Sequence, residues 1–185
     1  MIEVLYMLKR TVSVLLILIF TIAFSVTAFA YDTTTLNDII RSSDVKPTKQ
    51  FLVMITKPDK NENIFQKSYI ICGVPYKSGI RVALAVYNEK LGIYEDLPTI
   101  DGESNWDAGN FFTKEVELNK GTNNIKIVAY KSSEASNPKV GENVQVNTFT
   151  IIVFTEDFKK KINDNDLTIP EIQENVDKAL MNMRR

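Results

Sequence analysis

Residues 79–88 read GIRVALAVYN, and this stretch decides the fold. Ile80, Val82, Leu84 and Val86 fall on one phase; Arg81, Ala83, Ala85 and Tyr87 fall on the other. A period of two over this length predicts a half-buried β-strand with one face against a core. Outward from it, Leu91–Leu97 follows a short Asn-Glu-Lys turn and is expected to complete a hairpin. Upstream, FLVMIT (51–56) and KSYIICG (67–73) are β-rich runs. The first is closed by Lys57-Pro58-Asp59-Lys60 and the second by Gly73 and Pro75. Downstream, FFTKEVEL (111–118) alternates, with Phe112, Val116 and Leu118 facing in and Lys114 interrupting. Asn119–Asn123 is turn chemistry, with Gly121 free to take a positive φ. NIKIVAYK (124–131) places Ile125, Ile127 and Ala129 on one face, and VQVNTFTIIVF (144–154) is the last and longest strand. About seven short strands with no helix-period segment between them predict an all-β antiparallel sandwich over a parallel α/β fold.

Composition narrows the chemistry. The chain has 185 residues, no histidine and one cysteine. The length suits one domain with a small appendage. Without histidine there is no Ser-His-Asp triad, Cys-His dyad or His-ligated zinc. One cysteine excludes an intramolecular disulfide and a Cys-based metal cluster. A net charge of -1 gives a nucleic-acid partner no electrostatic support.

The N-terminus reads as an export signal. Thr11 to Ala30, TVSVLLILIFTIAFSVTAFA, carries no charge and follows Lys9 and Arg10. It ends in Ala28-Phe29-Ala30 before the polar Tyr31-Asp32. A basic region, an apolar core and an A-x-A site are the three parts of a secretory signal peptide, so Ala28 and Ala30 are the expected processing residues. An uncleaved membrane anchor is the alternative, because the run also reaches the roughly 20 residues that span a bilayer. Cys72 is expected to be buried beside Ile70 and Ile71, as a lone thiol in an oxidising compartment is best kept from solvent; an intermolecular disulfide is the alternative.

The flanks carry helix signals. Thr35–Ser42 predicts a short helix with Thr35 as N-cap and Asp38 completing a capping box. Lys46-Pro47-Thr48 would link it to the first strand. Phe158–Asp166 is expected to be an exposed linker. Thr168-Ile169-Pro170-Glu171 is a second capping box. After it Ile172, Val176, Leu180 and Met183 form one apolar stripe at helical spacing, which would pack on the sandwich or dock a partner. The expected division is signal 1–30, short helix and linker 31–50, sandwich 51–155, and linker with C-terminal amphipathic helix 156–185.

Four pieces of the strand block resemble the bacterial Ig-like, cadherin-like or glucodextranase-B-type domains of secreted Gram-positive cell-surface proteins. Ile55-Thr56-Lys57-Pro58 resembles the opening strand and turn, and Tyr69-Ile70-Ile71-Cys72-Gly73 the second strand. Gly79-Ile80-Arg81-Val82-Ala83-Leu84 resembles the third. Phe112–Leu118 with Gly121 and Asn123–Ala129 resembles the F-x-x-x-V-x-L-x-x-G-x-N-x-I hairpin. The resemblance covers residues 51–155 and implies a spacer, adhesive unit or binding accessory with no catalytic residues and no cofactor. The chain departs from antibody-type domains in lacking the inter-sheet disulfide and in placing its one tryptophan off the third strand.

Several sites are candidates. Asp101, Glu103, Asn105 and Asp107 put oxygen side chains at alternate positions, as in the first half of a calcium loop. Trp106 and Phe112 stand where that loop needs glycine and glutamate, which favours a solvated polar loop instead. Asn163-Asp164-Asn165-Asp166 is weaker, lacking any glycine. Trp106 with Tyr94, Phe111 and Phe112 would form a sugar-stacking platform, or else close one end of the core. Lys159-Lys160-Lys161 would touch anionic polymer or lipid, or form a solvated face offset by Asp164 and Asp166. The function expected is a non-enzymatic, secreted or surface-retained domain for interaction or scaffolding. The alternative is a carbohydrate- or calcium-binding accessory of a cell-wall-associated system. A carboxylate-only enzyme has no evident acid pair to support it. The expected partner is a protein or a cell-wall polysaccharide, not nucleic acid, with membrane contact only through an uncleaved signal.

Overall fold

In the computed structural model, residues 34–155 and 158–160 are described. The protein is all-β, with nine strands among these residues. One antiparallel sheet has the order β1 (Val53–Lys57), β3 (Ser68–Pro75), β7 (Phe112–Glu117). The other runs β2 (Glu62–Ile64), β9 (Val144–Val153), β8 (Gly121–Lys131), β4 (Ile80–Asn88), β5 (Ile93–Asp96). β6 (Asn105–Asp107) pairs the first part of β4, β5 the last part. Every pairing is antiparallel except β2 with β9. The chain changes sheets between β1 and β2, where the Lys57-Pro58 peptide is cis.

Both sheets fill one core. Val53, Ile55, Tyr69, Ile71, Phe112 and Val116 from the smaller sheet meet Val82, Leu84, Ile125, Ile127, Ile151 and Val153 from the larger. On β4, β7 and β8 these are the inward phases expected from the alternation, and burying each such side chain stabilises the fold by about 1.5–3 kcal/mol. Across the seam, the wholly buried Gln145 of β9 acts as a polar pin. Its Oε1 accepts from the backbone N–H groups of Phe51, Leu52 and Val53 at 2.8, 2.7 and 3.0 Å, and its Nε2 donates to Val53 O at 2.8 Å.

β4 is not half-buried as its alternation suggests. Its second phase, Ala83 and Ala85, lies with Val128, Tyr130, Val144 and Val146 under a helix, α1 (Leu36–Arg41). The capping box is present: the Asp38 N–H donates to Thr35 Oγ1, and the Asp38 carboxylate accepts from Thr35 N–H. Donation from the Thr35 hydroxyl first, and then from the Thr35 N–H, holds the Asp38 carboxyl below its usual range. Six residues make a marginal helix alone, so docking of Ile39 and Ile40 supplies what propensity lacks. The following linker is fastened too, with Thr48 N–H donating to Val146 O at 2.8 Å.

Other expectations change. β2 and β6 have three residues each, too short to show a period in sequence. Gly73 does not end its strand; β3 continues to Pro75. A Cβ at Gly73 would meet the Phe112 ring at 2.5 Å, so glycine lets the ring lie over the strand. Cys72 is not in the core. It is half-buried on the outer phase, because Tyr69, Ile71 and Gly73 take the inner one. Gly121 has the expected positive φ, 90°. Phe158 is half-buried rather than exposed, its ring 4.9 Å from that of Phe154. The signal at 1–30, the remaining stretch 161–166 and the C-terminal helix 169–183 lie outside the described residues.

Candidate interaction face

The outer face of the three-stranded sheet is the distinctive surface. Strand β3 is apolar on both phases: Tyr69 and Ile71 point inward, while Ile70, Cys72 and Val74 point out. In the register Met54 lies opposite Val74 on β1. On the other side Gly73 pairs with Phe112, which leaves Phe111, one residue before β7, beside Val74. Ile70 and Met54 are 41% exposed, Val74 39% and Phe111 71%, and Tyr76 continues the outward row. An apolar row on an open sheet face is the kind of patch that marks an interaction site. Its edge is polar: Glu115 accepts from Ser68 Oγ, and Lys67 faces Glu117 at 3.6 Å.

At the Ile70 end, a cleft of about 420 Å³ opens at the seam, lined by Lys57, Ile64, Phe65, Tyr69, Ile70 and Lys159 among others. Lys57 Nζ stands 5.1 Å from the Tyr69 ring centroid. The buried Tyr69 hydroxyl makes no hydrogen bond among the described residues. Burial first, and then the nearby Glu62 carboxylate, which does not reach hydrogen-bond geometry, push the phenol far above its usual range.

No family model and no curated protein matches this chain.

The sequence candidates are mostly placed elsewhere. Trp106 is buried at 4% exposure and packs edge-on to Phe112, with ring centroids 5.7 Å apart. Tyr94 is buried with the cluster under α1, on the other side of the larger sheet. Phe111 alone of the four is exposed, so no aromatic platform forms. The reason is parity: Trp106 pairs Val82 and shares its inward phase.

The acidic loop closes on a lysine. Lys114 Nζ lies 2.6 Å from both Asp101 Oδ2 and Glu103 Oε2, and 5.6 Å from the Trp106 ring centroid. The bonds to Asp101 and then Glu103 raise the Lys114 ammonium above its ordinary range, and the bond from Lys114 holds the Asp101 carboxyl below its own. Asn105 instead bonds Arg81 and Tyr130, and Asp107 Oδ1 accepts the Gly109 N–H. The ammonium thus takes the place a cation would need between Asp101 and Glu103. Among the described residues no group of three or more His, Cys, Asp or Glu is placed to hold a metal. Lys159 Nζ lies 5.9 Å from the Phe65 ring centroid, so part of the lysine run touches the fold.

Two residues carry weight that sequence reading passed over. Lys126, on the outer phase of β8, is wholly buried under α1. Its Nζ donates to Ile39 O at 3.3 Å and to Ser42 O, and sits 3.9 Å from the Tyr94 ring centroid. It therefore caps the C-terminal end of α1, where a positive charge is favoured. Gln145 is the other. Its signal was a polar side chain on the inward phase of β9.

Proposed function

We propose that this chain is a non-enzymatic Ig-like β-sandwich module, exported to the cell surface, which works by holding a partner on the outer face of its three-stranded sheet. The observation that carries the role is the row Met54, Ile70, Val74 and Phe111, exposed on an open sheet face. The strand order supports the Ig-like part of the reading. β1, β3 and β7 take the places of strands A, B and E; β4, β8 and β9 take those of C, F and G. The first strand is shared between sheets, β1 pairing β3 and β2 pairing β9. Export rests on the basic, apolar and A-x-A pattern that ends at Ala30.

The buried polar groups Lys126, Asn123 and Gln145 are spent on backbone atoms, which suits a framework rather than a reaction centre. A carbohydrate or calcium accessory role has less support, since Trp106 and Tyr94 are buried and Lys114 engages Asp101 and Glu103.

Co-sedimentation of the purified chain with isolated Gram-positive cell envelopes tests the proposal. The native chain is expected to pellet with envelopes, and a chain carrying Ile70→Asp and Val74→Asp to stay in solution. Both substitutions point outward and leave the core intact. Equal pelleting of the two chains would refute the face as the contact. No pelleting of either would refute an envelope partner.

A further inference from the structure

The cleft at the seam between the sheets, about 420 Å³, has the size of a small-molecule site. The described residues that line it include two lysines, Lys57 of β1 and Lys159 of the helical turn at 158–160, and no carboxylate. Aromatic rings support both ammoniums. Lys57 Nζ is 5.1 Å from the Tyr69 ring centroid, and Lys159 Nζ is 5.9 Å from that of Phe65. Lys57 makes no ion pair among the described residues, so its charge is open to a ligand.

Tyr69 forms the base of the cleft. It alone of the lining residues is buried, at 3% exposure, and its hydroxyl has no hydrogen-bond partner among the described residues. A buried hydroxyl left unpaired is costly, and an acceptor entering from the cleft satisfies it. Gln66 and Ser68, both exposed, add an amide and a hydroxyl, while Phe65 and Ile70 supply apolar wall.

This donor set suits phosphate better than carboxylate. An arginine fork matches a flat carboxylate, and no arginine lines the cleft. Ammoniums act as point charges, and with a hydroxyl arriving from a different strand they can surround a tetrahedral anion. We propose that the cleft binds a phosphate ester. Lys57 and Lys159 hold its anionic oxygens, the Tyr69 hydroxyl donates from the base, and its organic part lies against Phe65 and Ile70. The site needs no partner on the outward apolar row, which it meets only at Ile70.

The test follows backbone amide shifts of the purified chain by NMR as glycerol 3-phosphate is added at constant ionic strength. Saturable shifts at residues 57 and 64–70 are expected, and none with glycerol alone. Lys57→Gln, an exposed change, and Tyr69→Phe, which removes only the unpaired hydroxyl, should each weaken binding about tenfold. A merely structural role for these side chains would leave the affinity unmoved. The urea midpoint of Tyr69→Phe should stay level or rise, which separates lost binding from lost folding. Glu62→Gln should tighten binding, because that carboxylate stands near the Tyr69 hydroxyl and repels the anion. Shifts that do not saturate, or equal affinity in the native, Lys57→Gln and Tyr69→Phe chains, overturn the proposal. Vesicles of phosphatidylglycerol then identify the source of the phosphate. Displacement of glycerol 3-phosphate by the vesicles supports a lipid headgroup in the cleft, and persistence of the bound shifts supports a soluble ester.

Discussion

Lys126→Met isolates the electrostatics of the buried ammonium. No acidic side chain pairs with Lys126 among the described residues. Burial pushes its pKa down from 10.5 to about 8. Below pH 8 the lysine is charged in both folded and unfolded chains, so the cost of burying it is present in full. Between pH 8 and 10.5 the folded chain gives up the proton while the unfolded chain keeps it. The unfolded state then binds more protons, and stability rises with pH. At about 1.4 kcal/mol per pH unit the ceiling of this rise is ~3 kcal/mol. The carbonyls of Ile39 and Ser42 and the Tyr94 ring favour the ammonium, which brings the expected rise to ~1–2 kcal/mol. Above pH 10 the trend reverses, because burial raises the phenols of Tyr69 and Tyr94 and unfolded tyrosines ionise first. The native chain should thus gain stability from about pH 8 upward and be most stable near pH 10. The absence of histidine removes the side chain that most often titrates just below this window.

At pH 7 the methionine variant loses two hydrogen bonds to carbonyls but also the buried charge. These effects oppose each other, so the slope is more diagnostic than the absolute stability. Urea unfolding at half-unit steps from pH 7 to 9.5, followed by Trp106 fluorescence, measures it. The native midpoint should climb and the Lys126→Met midpoint should stay level, with m unchanged. A climb of equal size in the variant, or a level native curve, would refute the assignment to Lys126.

Gly73→Ala should destabilise by about 1–3 kcal/mol, because the new methyl displaces a Phe112 ring that is packed edge-on to Trp106 in the core; chemical denaturation reads it, and a neutral result would mean the ring moves freely. Gln145→Leu should cost at least about 3 kcal/mol, since three N–H groups and one carbonyl lose their partner at the seam between sheets. Thr35→Ala should cost about 1 kcal/mol and speed amide exchange within α1 while leaving β8 protected. N-terminal sequencing of protein from medium and membrane fractions should find Tyr31 first in the medium. An intact N-terminus confined to membranes would make the segment an anchor.

Much of the framework was legible because strands announce themselves by parity. The alternation in 79–88, 111–118 and 124–131 placed Val82, Phe112, Ile125 and Ile127 on the inward phase, where they lie. The capping box at Thr35 was legible for a similar reason, as its bonds join residues three apart. The candidate sites were less legible. Trp106 read either as a sugar-stacking ring or as a residue closing one end of the core, and a three-residue strand turns it inward to the second. Asp101 and Glu103 looked like half a cation site until Lys114, on another strand, reached them.

The local signals of this sequence determine an all-β chain, its turns and its short capped helix, because period, capping and glycine chemistry act between residues close along the chain. Which face each strand shows to solvent is a tertiary decision. The second phase of β4 is covered because α1 folds back on it, and Lys126 is buried for the same reason. Cys72 shows how both levels combine. Its alternation with Ile71 assigns it to the opposite phase, but only the absence of any described element over the smaller sheet leaves that phase outward. Parity is inherited from the covalent chain, whereas cover depends on contacts between residues far apart in sequence.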